Sequence, residues 1–231
     1  MSRIQLEPAY VLHSRSFRET SLIVETLTRD QGRVAVVARG AKSARSRWRN
    51  VLQPFRPLLI SYTQKSDLGT LTAADQVAAP PALQGQALYC GLYMNELLMR
   101  LLHRGDPHAE VFEGYRNTLT KLAADVPPQS LLRIFEKHLL EAVGYALLLE
   151  QEFDSGVGIL PGRWYEYQPG RGPVPARGPG AGRVSGAALL AFNTEDLGDE
   201  HLPELRMLMR SVIGYHLGDK PLASLALFKG S

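Results

Sequence analysis

The sequence predicts an α+β multidomain chain, a small β-barrel over residues 1–80 followed by an all-α region over 81–231. Three observations predict it. Five short segments rich in Val, Ile, Leu, Thr and Tyr fill the first 80 residues with no helical period between them. From Pro80–Pro81 onward the apolar residues recur at helical spacing instead. Finally, 231 residues suffice for two modest domains, each with its own core.

The strand candidates are "AYVLHSR", "SLIVETLTR", "GRVAVVARG", "PLLISYTQ" and "GTLTAADQV", with "RDQG" and "KSDLG" as turn material. Five short strands in about 80 residues suit an OB-fold, a five-stranded Greek-key barrel that often grips nucleic acid. Alternation along "RVAVVAR" places Val34, Val36 and Ala38 on one face and Arg33, Ala35, Val37 and Arg39 on the other. Two arginines therefore flank one face, just before a loop at 40–53.

Past Pro81, "ALYCGLYMNELLMRLL" is apolar nearly all round and reads as a buried central helix. "AEVFEGYRNTLTKLA" keeps an outward polar face, and "SLLRIFEKHLLEAVGYALLLE" reads as a second long core helix. "LPELRMLMRSVIGYHLG" is a further helix that Gly218 can end. Residues 168–183, "QPGRGPVPARGPGAGR", are rich in Gly and Pro and read as a mobile surface loop. "GPGAG" within it lacks the preceding strand and the Lys-Ser/Thr of a phosphate loop.

Charge separates the two parts. Residues 1–80 carry 12 Lys and Arg against 6 Asp and Glu, a net +6, whereas 81–231 carry 14 against 17, a net −3. Eight cations lie between Arg33 and Lys65, and no carboxylate appears from Gln31 until Asp67. A field of that kind favours a polyanion. A single nucleic-acid strand needs several cations along a groove and an aromatic platform for its bases. The candidate DNA-binding residues are therefore Arg33, Arg39, Lys42, Arg45, Arg47, Trp48 and Arg49. The alternative for Trp48 is a ring folded onto the barrel, beneath a merely solvated basic loop.

Other chemistries find little support. The single cysteine, Cys90, excludes an internal disulfide and a multi-cysteine metal cage, and it fits a buried small apolar position. None of the six histidines has a zinc-protease spacing, and no serine sits in a nucleophile elbow. No catalytic residue, metal or cofactor is predicted. No signal-peptide core or membrane-length apolar run is present, so a soluble, cytoplasmic protein is expected.

With a basic strand-rich part followed by helices, the chain resembles the RecO family of bacterial recombination mediators. The resemblance rests on "YVLHSRSFRETSLIVETLTRDQGRVAVVARGAKSARSR", "LQPFRPLLI", "LYCGLYMNELLMRLL", "LLRIFEKHLLEAVGY" and "LGDKPLASLALF". It implies an N-terminal OB-fold that binds and anneals single-stranded DNA, and a location on the nucleoid when DNA is bound. It also implies a helical domain that docks the acidic C-terminal tail of single-stranded DNA-binding protein, and a partnership with RecR in loading RecA recombinase. Some members carry a four-cysteine zinc site in the later helical region; this chain has no cysteine there. Its C-terminal "KPLASLALF" also lacks the basic residues that similar chains carry near Ala223 and Leu225.

One position breaks a local rule. "PPQSLLRIFEK" starts a helix with Ser130 as N-cap, and Arg133 falls in the first turn, where the macrodipole disfavours a cation. Either Arg133 pairs with an acid such as Glu136 or Glu96, or it receives an anionic group from a partner. The resemblance places the tail of single-stranded DNA-binding protein at this arginine. Leu98, Leu102, Phe112 and Tyr115 are the apolar candidates for the tail's hydrophobic end, although Leu98 and Leu102 also suit a core. Two other readings of the chain stand beside this one. One is an RNA-binding or ribosome-associated OB module with a helical scaffold, and the other is an adaptor whose basic loop meets an acidic protein.

Overall fold

The structure is a computed structural model and describes residues 2–124, 126–218 and 220–229. Two compact units divide the chain: one takes in the residues through Val126 together with the segment from Leu222 on, the other is Pro127–Pro221. Residues 81–126 thus pack with the barrel.

In the first unit, β1 (Ser2–Phe17), β2 (Ser21–Thr28), β3 (Gly32–Ala38), β4 (Leu58–Gln64) and β5 (Leu68–Gln76) close into a barrel of order β1-β2-β3-β5-β4. Each overlaps a segment that strand propensity marks, although β1 begins at Ser2, seven residues before "AYVLHSR". The β3–β5 pairing is parallel and closes the ring, as an OB-type Greek key requires. β1 is long enough to pair with both β2 and β4 because register shifts at Ile4/Glu7 and Val11/His13 bend it around the barrel. Val24, Val34, Val36, Ala38, Ile60, Tyr62 and Leu71 fill the interior. Val34, Val36 and Ala38 are the inward residues that alternation assigns.

The outward face of the β2–β3 pair is not exposed. Ile23, Leu27 and Ala35 are buried there. The cover comes from α1 (Gly85–Leu101), α2 (Ala109–Ala123) and the linker between them. Asn95 on α1 donates to the Leu12 carbonyl at 3.0 Å and accepts from the Tyr115 hydroxyl of α2 at 2.6 Å, so one buried amide joins β1 and both helices. Gly32 shows why the linker comes so close. Its φ of +67° suits glycine, and a Cβ there would stand 2.1 Å from the Asp106 carbonyl oxygen. A 3-10 segment, Ala223–Lys229, returns to α1, where the Glu96 carboxylate accepts from the backbone N–H groups of Ala223 and Ser224, each at 2.8 Å.

The second unit contains α3 (Pro128–Ala142), a three-stranded antiparallel sheet, α4 (Gly186–Thr194) and α5 (Leu202–Leu217). The sheet corrects both the all-α expectation for 81–231 and the loop expectation for 168–183. β6 (Trp164–Gln168), β7 (Gly172–Ala176) and β8 (Arg183–Ser185) pair in the order β7-β6-β8. Pro173 and Pro175 sit at alternate positions of the edge strand β7, where a missing N–H faces away from the partner and costs no ladder bond. Helix α3 is also shorter than its apolar run. Gly144, at φ +84°, turns the chain out after Ala142, and Tyr145 N–H closes back on the Leu140 carbonyl at 2.7 Å. The N-cap of α3 is Pro127, and Ser130 lies inside the helix rather than at its cap.

Candidate nucleic-acid interface

Between β3 and β4 the chain does not wander. After Gly40, at φ +68°, it advances by successive turns: Ser43 N–H donates to Gly40, Ser46 to Ser43, Arg49 to Ser46 and Leu52 to Trp48. This winding sorts the side chains. Ala41, Trp48 and Leu52 point inward and join the barrel core, while Lys42, Arg45, Arg47 and Arg49 point out and are exposed.

Trp48 is therefore a plug for the barrel end, only 6% exposed, with its indole Nε1–H donating to the Arg39 carbonyl at 3.1 Å. Of the two sequence readings, the ring folded onto the barrel is the one found. Arg47 lies over that ring at 4.1 Å and donates to the Thr72 carbonyl at 3.1 Å, which holds its charge above the plug. Arg39, Ser43, Arg45, Ser46 and Arg47 line an open depression of about 390 Å³. No carboxylate lies within ion-pair distance of Arg39, Lys42, Arg45, Arg47 or Arg49 among the described residues.

Arg33 belongs elsewhere, which corrects its grouping with the loop. It stands at the opposite end of β3, donating Nη1–H to the buried Glu25 at 3.1 Å and Nε–H to the Leu102 carbonyl at 3.1 Å. Arg104 meets the same carboxylate from the α1–α2 linker. In this triad Glu25 is buried between the two guanidiniums, so Arg33 is committed to a structural ion pair, while Arg104 keeps part of its surface in solvent.

The structure adds residues that a count over 33–65 passes over. Lys42 N–H donates to the Thr20 carbonyl at 2.9 Å, which brings the β1–β2 turn beside the loop. Arg15 and Arg18 are exposed on that hairpin. The sequence signal was "SRSFRETS", two cations at a strand junction, diluted by Glu19.

The combination of a five-stranded Greek-key barrel, cations gathered at one end and a helical continuation agrees with known proteins. Residues 1–80 match the family model for the recombination protein O N terminal, and residues 82–226 match the model for its C terminal. The chain belongs to the recombination protein O family. Relatives named DNA repair protein RecO include that of Methylococcus capsulatus, 45% identical over 100% of this chain and 95% of its own. Those of Nitrosococcus oceani and Alkalilimnicola ehrlichii are 44% and 45% identical, covering 98% of this chain in each case and 94% and 92% of their own lengths. The two family matches meet at Pro81, where strands give way to helices. No helix among the described residues is long and apolar enough to cross a membrane.

The residues expected to receive a partner's tail fare unevenly. Leu98, Leu102, Phe112 and Tyr115 are core residues, from 0% to 4% exposed, and offer no free surface to an incoming side chain. Phe112 and Tyr115 close on the ring of Tyr10 with centroids 5.4 and 5.2 Å away. Arg133 lies in the other unit, on α3, 9% exposed and paired with Glu136 one turn along its own helix.

Proposed function

We propose that the chain is a DNA repair and recombination mediator that binds and anneals single-stranded DNA through the cationic end of its barrel. In this reading RecR joins it in helping to load RecA recombinase onto strands coated by single-stranded DNA-binding protein, and DNA binding places it on the nucleoid. The observation that carries the proposal is the set of exposed cations on one loop, with Arg39, Arg45 and Arg47 lining a depression and Lys42 and Arg49 exposed on the same loop, none with a carboxylate partner among the described residues. Neutralised phosphates let complementary strands approach, and the duplex itself is the favourable product, so annealing needs no fuel and no catalytic group.

On the helical side, Arg133 remains the residue proposed to receive the acidic tail of single-stranded DNA-binding protein. Its Nη2 pairs with Glu136, and its buried Nε–H has no hydrogen-bond partner among the described residues, so the guanidinium is not saturated by its own helix.

The test is a salt titration with annealing as a second readout. If about four phosphates of a single strand are neutralised, log K falls against log salt with a slope of roughly −3. Replacing Lys42, Arg45, Arg47 and Arg49 together by Ala flattens the slope and abolishes annealing; a quadruple variant that anneals like the parent rejects the site. Competition between DNA and RNA strands of equal length separates this function from an RNA-binding module.

A further inference from the structure

A basic track alone holds phosphates, yet a binder of single strands also gains from an exposed ring on which a base can stack. Trp48 does not supply it, because its ring is buried in the barrel. A partly exposed aromatic residue stands on the neighbouring hairpin, Phe17. It is the last residue of β1, pairs with Ser21 and so leaves residues 18–20 as the turn, and that turn is tied to the loop by the Lys42–Thr20 hydrogen bond of 2.9 Å. The ring is half-buried and keeps part of its surface in solvent.

Its neighbours are cations. The Arg18 guanidinium lies 5.2 Å from the ring centroid. Arg18 adopts φ +55°, a left-handed conformation uncommon for a non-glycine residue. Arg15 shares the Phe17 face of β1 by alternation and is exposed. Neither arginine has a carboxylate within ion-pair distance among the described residues, although Glu19 is exposed in the same turn.

We propose that Phe17 is the base-stacking platform of the site, with Arg15 and Arg18 holding the phosphates on either side of the stacked nucleotide. This rests on the single-strand reading above and adds the residue that distinguishes a nucleic acid from any other polyanion. An acidic peptide would satisfy the same cations and leave the ring unused. A duplex keeps its bases stacked on one another, so the occupant is an unpaired strand.

The experiment compares a single-stranded oligonucleotide with an abasic strand of equal length by fluorescence anisotropy across a salt series. The parent protein is expected to bind the base-bearing strand about tenfold more tightly. Phe17→Leu removes most of that preference with the salt slope unchanged, and Phe17→Tyr restores it. In a Trp164→Phe background, where Trp48 is the remaining tryptophan, Phe17→Trp adds emission over that background and a bound strand quenches the added part, an independent reading should the leucine variant be poorly folded. Retention of the preference by Phe17→Leu, or an unquenched Trp at 17, overturns the stacking role. A parent that binds both strands equally, with a normal salt slope, also overturns it and leaves the cationic site standing. A parent without salt-dependent binding to either strand removes the site itself.

Discussion

Trp48 donates its indole N–H to the Arg39 carbonyl at 3.1 Å, and this bond ties the middle of the cationic loop to the end of the strand that precedes it. The loop's charges are held out by what its apolar residues do inside. Removing the ring therefore attacks the site through the fold. Trp48→Ala is expected to cost about 3–5 kcal/mol, as for other buried aromatic truncations. Trp48→Phe keeps most of the packing and loses the hydrogen bond, worth about 1 kcal/mol. Denaturant melts measure both. In a Trp164→Phe background, iodide should scarcely quench the remaining Trp48 emission, and strong quenching would contradict the buried placement.

Two arginines of β3 and its loop, equal in sequence terms, separate by experiment. Arg45 is exposed over the depression, whereas Arg33 is bound to Glu25 and Leu102. Arg45→Ala should lower the salt slope by roughly 0.7 and leave the melting curve unchanged. Arg33→Ala should do the reverse. Anisotropy titrations and thermal melts on the same two variants decide the matter, and identical behaviour would dissolve the distinction.

That contrast shows which parts of the site could be read from sequence. The run of cations from Arg39 to Arg49 has no acid in its own segment, so its freedom from pairing is a local property and visible. Arg33 is neutralised by Glu25 on the neighbouring strand and is held beside Arg104 from a distant linker, and neither proximity is written in the residues around it. The strands were legible because β3 alternates Val34, Val36 and Ala38 inward. Burial of Ala35 and Ile23 on the other face depends on helices whose docking no period announces. Pro173 and Pro175 hid a strand because proline argues against a ladder except at an edge, and edge position is a fact of topology. Leu98, Leu102, Phe112 and Tyr115 were ambiguous for a like reason: an apolar helix face suits a core and a docking groove equally until its neighbours are known.

Glu25 carries two arginines while 3% exposed itself. Removing the shared acceptor leaves Arg33 unpaired beneath the helices and only Arg104 able to reach water. Glu25→Ala is expected to destabilise the first unit by about 3 kcal/mol, the lower part of the range for breaking a buried pair, because Arg104 is partly exposed. The double variant Glu25→Ala/Arg33→Met should recover much of the loss by replacing a stranded charge with an apolar side chain. Chemical denaturation of the single and double variants tests this, and a double variant less stable than the single one would exclude the triad as the cause.

The C-terminal segment offers a pH dependence with a definite sign. Burial alone would raise the Glu96 carboxyl above its ordinary value, but the hydrogen bonds from the Ser224 hydroxyl and backbone and from the Ala223 backbone outweigh it and hold the group lower. A folded-state value below the unfolded one means that the carboxylate contributes its full stability above the usual glutamate range. That contribution fades as pH falls through the depressed folded value. Amide exchange at Ala223 and Ser224 should therefore accelerate at acidic pH, once the intrinsic pH dependence of exchange is removed. Glu96→Gln, unable to ionise, should give weak protection at all pH values, with the acid-dependent part abolished. Protection in this variant that still declines with acid would place the titrating group elsewhere, and the anchoring of the segment to α1 would then rest on the packing of Phe228 against Tyr89 and Tyr93.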